Sequence, residues 1–95
     1  MSARSMPYVR KRGIREEPVD DVVFLIDEGG KAIHMLERLS YGIWNLLDEP
    51  MSVAEAKGLV RSPFPGISAR RLARDVEMLF IDLEDAGLIA PARHD

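Results

Sequence analysis

The stretch KAIHMLERLSYGIWNLL, residues 31–47, changes hydrophobic period partway along. Lys31, Ile33 and Met35 alternate with Ala32, His34 and Leu36, the period-two pattern of a strand. From Leu39 the apolar positions are Leu39, Ile43, Leu46 and Leu47, which is helical spacing. No glycine or proline separates the halves, so the pattern predicts a strand and a helix sharing one core.

The same reading extends along the chain. Residues Pro7–Arg15 alternate and are polar enough for a first strand at a sheet edge, where lysine and arginine discourage aggregation. Glu16–Asp21, EEPVDD, reads as a turn or loop with a proline in it. Val22–Ile26, VVFLI, is the strongest strand, β-branched and aromatic throughout. Asp27-Glu28-Gly29-Gly30 reads as a hairpin loop in which both glycines supply positive φ. Lys31–Leu36 then returns antiparallel to Val22–Asp27, completing a three-stranded meander.

Three helices are expected after it. The first covers Arg38–Asp48 and is stopped by Pro50. Ser52-Val53-Ala54-Glu55 is a capping box, so the second covers Val53–Val60, with Val53, Ala56, Leu59 and Val60 inward. Gly58 weakens it by about 1 kcal/mol relative to alanine. Arg61–Ile67, RSPFPGI, is a stiff loop pinned to the core by Phe64 and Ile67. Ser68 caps the third helix, Ala69–Ala86, and Gly87 ends it. Leu88-Ile89 stays apolar, and the chain frays from Pro91. The fold class expected is α+β: a three-stranded antiparallel sheet followed by three helices, compatible with a winged-helix-like topology.

At about 100° per residue, Leu72, Val76, Leu79, Phe80 and Leu83 share one face of the third helix, the core face. Arg71, Asp75, Met78 and Asp82 form a stripe on its flank, and Arg74 and Ile81 lie nearly opposite the core. Met78 among charges is either a single exposed apolar residue, which needs no explanation, or an adaptable thioether in a groove wall.

Composition narrows the chemistry. Ninety-five residues make one domain, and 46% hydrophobic residues suffice for one core. Residues 1–6 and 90–95 are expected to be flexible ends around a folded domain at 7–89. The absence of cysteine removes disulfide, thiolate-metal and cysteine-nucleophile chemistry. His34 and His94 have no second histidine at metal-ligand spacing. No Ser/His/Asp set, Gly-rich phosphate loop or paired-carboxylate motif with a plausible cleft is present, Asp27-Glu28 and Glu84-Asp85 reading as solvated, so neither catalysis nor a cofactor is expected. No apolar run approaches a bilayer span, and the charged N-terminus lacks a following apolar core; the compartment expected is the cytoplasm. Trp44 fits a core or core-edge position better than a stacking platform. Arg10-Lys11-Arg12 reads as a solvated strand face or, alternatively, a phosphate-binding patch.

Two binding classes stay open. A winged helix could present Arg70, Arg71 and Arg74 to DNA. Asp75, Glu77, Asp82, Glu84 and Asp85 on the same helix, and a net charge of −3, oppose that. The other class is peptide binding. An unpaired strand edge recruits an extended peptide through main-chain hydrogen bonds. With Lys31–Leu36 as that edge, the Met78 stripe becomes a second wall, and Arg71, Arg74, Asp75 and Met78 supply specificity. The same edge, or a swapped N-terminal strand, could also make a dimer; otherwise the chain is a monomer.

Several motifs occur in a familiar order: Leu36, then Ile43-Trp44-Asn45-Leu46-Leu47-Asp48, then Ser52-Val53-Ala54-Glu55, then Asp75-Val76, then Leu83 with Gly87-Leu88-Ile89. This succession resembles the PqqD-like family, named for coenzyme PQQ synthesis protein D, whose fold is also called the RiPP recognition element. The resemblance covers about Pro7–Ile89. It implies a winged-helix-like, non-catalytic chaperone that binds the leader of a ribosomally made precursor peptide. It further implies delivery to a modifying enzyme such as a radical-SAM protein, a cyclase or a leader peptidase, in PQQ, lasso-peptide or related biosynthesis. Carried over by position, the leader adds beside Lys31, Ala32, Ile33, His34, Met35 and Leu36 and lies against Arg71, Arg74, Asp75 and Met78. Glu37 stands where the family often has asparagine before the first helix.

Overall fold

A computed structural model describes residues 6–30, 33–60, 66 and 68–92. In chain order the elements are β1 (Pro7–Arg10), β2 (Arg15–Val19), β3 (Val22–Ile26), β4 (Ile33–Leu36), α1 (Arg38–Leu46), β5 (Met51–Ser52), α2 (Val53–Val60), α3 (Ala69–Asp85) and β6 (Ile89–Pro91). They form an α+β fold with two three-stranded antiparallel sheets, ordered β2-β3-β4 and β5-β1-β6.

The first sheet contains the expected β3–β4 hairpin, in register Val23 with Leu36, Phe24 with Met35, Leu25 with His34 and Ile26 with Ile33. Its third strand is not the expected one. The alternation over Pro7–Arg15 conceals a break at Gly13, whose φ of 84° turns the chain from one sheet to the other. β1 ends at Arg10, and the segment expected as a turn or loop, Glu16–Asp21, supplies most of β2. Pro18 is tolerated because β2 is an edge strand. The tight turn falls at Asp20 instead, with φ 55°, a conformation that aspartate adopts more readily than most residues. In the hairpin after β3, of Gly29 and Gly30 only Gly30 has positive φ, 68°.

The second sheet was not expected. β1 is its centre, pairing with β5 (Pro7 with Ser52) and with β6 (Val9 with Ala90). Ala90 and Pro91, expected in a flexible tail, are therefore strand. Such short strands carry too little period for the pattern to declare them. Tyr8 anchors this sheet to α3: its ring meets Phe80 edge-on at 5.6 Å, and its hydroxyl donates to Glu84 at 3.4 Å.

The helices follow their signals. Ser52 Oγ accepts from the Glu55 amide at 3.1 Å while Glu55 Oε1 accepts from the Ser52 amide at 3.0 Å, closing the capping box. Ser68 Oγ accepts from the Arg71 amide. At the far end of α3 the Leu88 amide bonds to Leu83 O and the Gly87 amide to Glu84 O, a Schellman motif with Gly87 at φ 76°. Leu72, Val76, Leu79, Phe80 and Leu83 are buried as read by angle. Leu59, expected inward, is 52% exposed. It lies well off the arc shared by Val53, Ala56 and Val60 at 100° per residue. The expected pinning of the loop by Phe64 and Ile67 lies outside the described residues. Among the described residues no helix is long and apolar enough to cross a membrane.

One polar junction holds both sheets to α1. Trp44 is buried, and its Nε1 donates to Glu16 Oε2 at 3.2 Å. Tyr41 donates to the other oxygen of the same carboxylate. Arg10 from β1 lies over the Trp44 ring at 5.1 Å and pairs with Asp48 at 2.7 Å and Glu16 at 3.5 Å. Lys57 and Glu77 form a further pair between α2 and α3.

Two stability outcomes are expected. Replacing Gly58, whose Cβ position is open inside α2, by alanine should stabilise the fold by about 0.5–1 kcal/mol. Gly87→Ala should destabilise it by about 1 kcal/mol because of the positive φ. Urea midpoints read both, and equal signs would contradict the cap assignment. Trp44→Phe, which keeps a ring but loses the bond to Glu16, should cost about 2 kcal/mol; an unchanged midpoint would show that the junction contributes nothing.

Candidate functional site

Backbone amides and carbonyls must be paired or solvated, so the site begins at the free edge of a sheet. β3 is central in the order β2-β3-β4, and among the described residues β4 pairs with β3 alone. The outer edge of Ile33–Leu36 therefore presents main-chain donors and acceptors. Lys31 and Ala32 lie outside the described residues.

The side chains of β4 divide by parity. Leu36 is fully buried and His34 half-buried, on the face toward the core. Ile33, 64% exposed, and Met35, 50% exposed, stand on the opposite face beside the half-buried Ile26 and Phe24. An antiparallel sheet with one solvated face ordinarily carries polar residues there. This sheet is apolar on both sides across β3 and β4.

Immediately after β4 the chain forms one wall of a groove of about 420 Å³. Glu37, Arg38, Leu39 and Ser40 line that side, and Asp75, Met78, Leu79 and Asp82 of α3 line the other. Met78, half exposed, and the buried Leu79 are its apolar part. Glu37 occupies the N-cap position of α1 but makes no side-chain cap bond, and its exposed side chain lines the groove.

The structure thus brings Asp75 and Met78 to the end of β4. Arg71 and Arg74 line a different depression, of about 290 Å³, with Ser68 and Arg70 at the start of α3. The four helix residues all face outward on α3, as the angular reading placed them. Sequence reasoning missed the contribution of residues 37–40. The signal was available: Glu37 in place of a capping residue leaves a carboxylate with no local task. Trp44 is in the core, as its position suggested, and Arg10 of the basic run is held by Asp48, Glu16 and the Trp44 ring.

Comparison with known proteins bears on this geometry. Residues 22–89 match the family described as coenzyme PQQ synthesis protein D (PqqD). By sequence the chain matches no curated protein. The solved structure of TbiB1 in complex with the TbiA(beta) leader peptide has a TM-score of 0.72 at 17% identity, covering 90% of this chain and 99% of that one. Lasso peptide synthetase B1 complexed with the leader peptide gives 0.72 at 19% identity, covering 88% and 98%. At these identities the likeness is one of fold, and it extends over nearly the whole of each chain. The family match runs from the first residue of β3 through the whole of α3 to the first residue of β6, and the chain belongs to the PqqD family.

Proposed function

We propose that this protein is a non-catalytic recognition domain that binds the leader of a ribosomally made precursor peptide and presents it to a modifying enzyme. The observation that carries the reading is the free edge of β4 ending in a groove walled by α3. An extended peptide added to that edge gains main-chain hydrogen bonds, while the groove offers contacts to alternate side chains. Membership of the PqqD family and a fold shared with two proteins solved with leader peptides support it.

The residues assigned to the site are the β4 edge, Ile33, His34, Met35 and Leu36, with Lys31 and Ala32 preceding it in the sequence, and on α3 Arg71, Arg74, Asp75 and Met78. The partner enzyme is a radical-SAM protein, a cyclase or a leader peptidase acting in the cytoplasm, in the biosynthesis of PQQ, a lasso peptide or a related product. The apolar outer face formed by Phe24, Ile26, Ile33 and Met35 is the surface on which such an enzyme would rest. The DNA-binding alternative draws on Arg70, Arg71 and Arg74. It is disfavoured because Asp75, Asp82, Glu84 and Asp85 are exposed on the same helix.

The test is a titration of isotope-labelled protein with the synthetic leader of the precursor encoded beside its gene. Amide shifts are expected at Ile33–Leu36 and along α3. Shifts that spare both would overturn the reading, and retention of duplex DNA at low salt would favour the alternative. Arg71→Glu should weaken leader binding about fivefold, the effect of about 1 kcal/mol, with the urea midpoint unchanged.

A further inference from the structure

The charges flanking this site are segregated along α3. Arg70, Arg71 and Arg74 are exposed at its start, and among the described residues none of them forms an ion pair. Asp75, Asp82 and Glu37 are exposed around Met78 and Leu79, and they too form no ion pair among the described residues. Arg71 and Asp75 have the i, i+4 spacing at which a helix closes an ion pair, yet they leave it open. Arg38 is the one cation among the groove residues, against three carboxylates. Exposed charges that could neutralise one another but do not remain available to a ligand.

We infer that the groove selects a leader segment of bipolar charge. A carboxylate side chain meets Arg71 and Arg74, an apolar side chain meets Met78, and a lysine or arginine lays its stem on Met78 and Leu79 with its head among Glu37, Asp75 and Asp82. Long cationic side chains cover apolar surface in this way. The spacing follows from the two geometries. From midway between Arg71 and Arg74 to Met78 is about 8 Å along the helix axis, and to Asp82 about 14 Å, at 1.5 Å per residue. A strand advances about 3.3 Å per residue, so for a leader that runs alongside α3 in the same direction the three positions correspond to leader residues i, i+2 and i+4, all on one side of the strand. The inference rests on strand addition at β4 and adds the identity of the side chains.

Four designed peptides test it. Each is the same extended, β-branched decapeptide with an apolar residue at the central site, differing only at the positions two before and two after it. The pairs are Glu/Lys, Glu/Glu, Lys/Lys and Ser/Ser. Because backbone pairing is independent of sequence, all four should shift the amides of Ile33–Leu36. The Glu/Lys peptide should bind about fivefold tighter than either like-charged peptide, as expected for partly exposed ion pairs, and the advantage should shrink at high salt. In the double variant Arg71→Glu, Arg74→Glu the order should change, with Lys/Lys binding tightest. Equal binding of all four, with the β4 shifts present, would overturn the charge selection and leave strand addition standing. No shift at β4 with any peptide would overturn strand addition itself.

Discussion

The carboxylate of Glu16 accepts from the Trp44 indole and the Tyr41 hydroxyl and sits beside the Arg10 guanidinium. Those donors come from α1 and from β1, while Glu16 belongs to β2. One side chain therefore fixes the two sheets and the first helix relative to one another. A charged acceptor taking several hydrogen bonds in a part-buried setting contributes more than a neutral one. The consequence reaches the far side of the sheet. With β2 held on one edge of β3, β3 becomes the central strand and β4 the remaining edge.

That edge defines what the molecule offers. β4 passes directly into α1, and residues 37–40 at the junction face α3 across the groove. The Schellman motif at Gly87 turns the chain from α3 into β6, and β6 pairs with β1, the strand that carries Arg10. Thus α3, which forms one wall, is tied through β6 and β1 to the same junction that holds α1, whose first residues form the other wall. A site built on regular elements holds its geometry better than one built on loops.

Much of this was legible in the residues. The capping box at Ser52 and Glu55, the cap at Ser68 and the glycine stop at Gly87 rest on local chemistry, and local chemistry is what a sequence displays directly. The buried face of α3 followed from its 3.6-residue period, as did the exposure of Met78. β2 was illegible because its proline and acidic residues imitate a loop, and the hairpin that pairs it with β3 turns at Asp20-Asp21, a two-residue turn without the glycine or asparagine that usually marks one. The break at Gly13 was hidden for the opposite reason, since alternation continued across it on both sides. Glu16 was one acid in an acidic run, and only the tertiary fold distinguishes it from Glu17. At the site, the α3 stripe and the strand were readable, whereas the wall at residues 37–40 appears only when the elements are packed.

The central claim is that the open edge of β4 receives a peptide strand. Amide hydrogen exchange, residue by residue with and without the bound leader peptide, tests it most directly. Strand addition protects the outward-pointing alternate amides of Ile33–Leu36, because those donors gain main-chain acceptors, and leaves β2 at its unliganded rates. Protection confined to β2 or to the start of α3, with β4 exchanging as fast as in the free protein, would contradict the account.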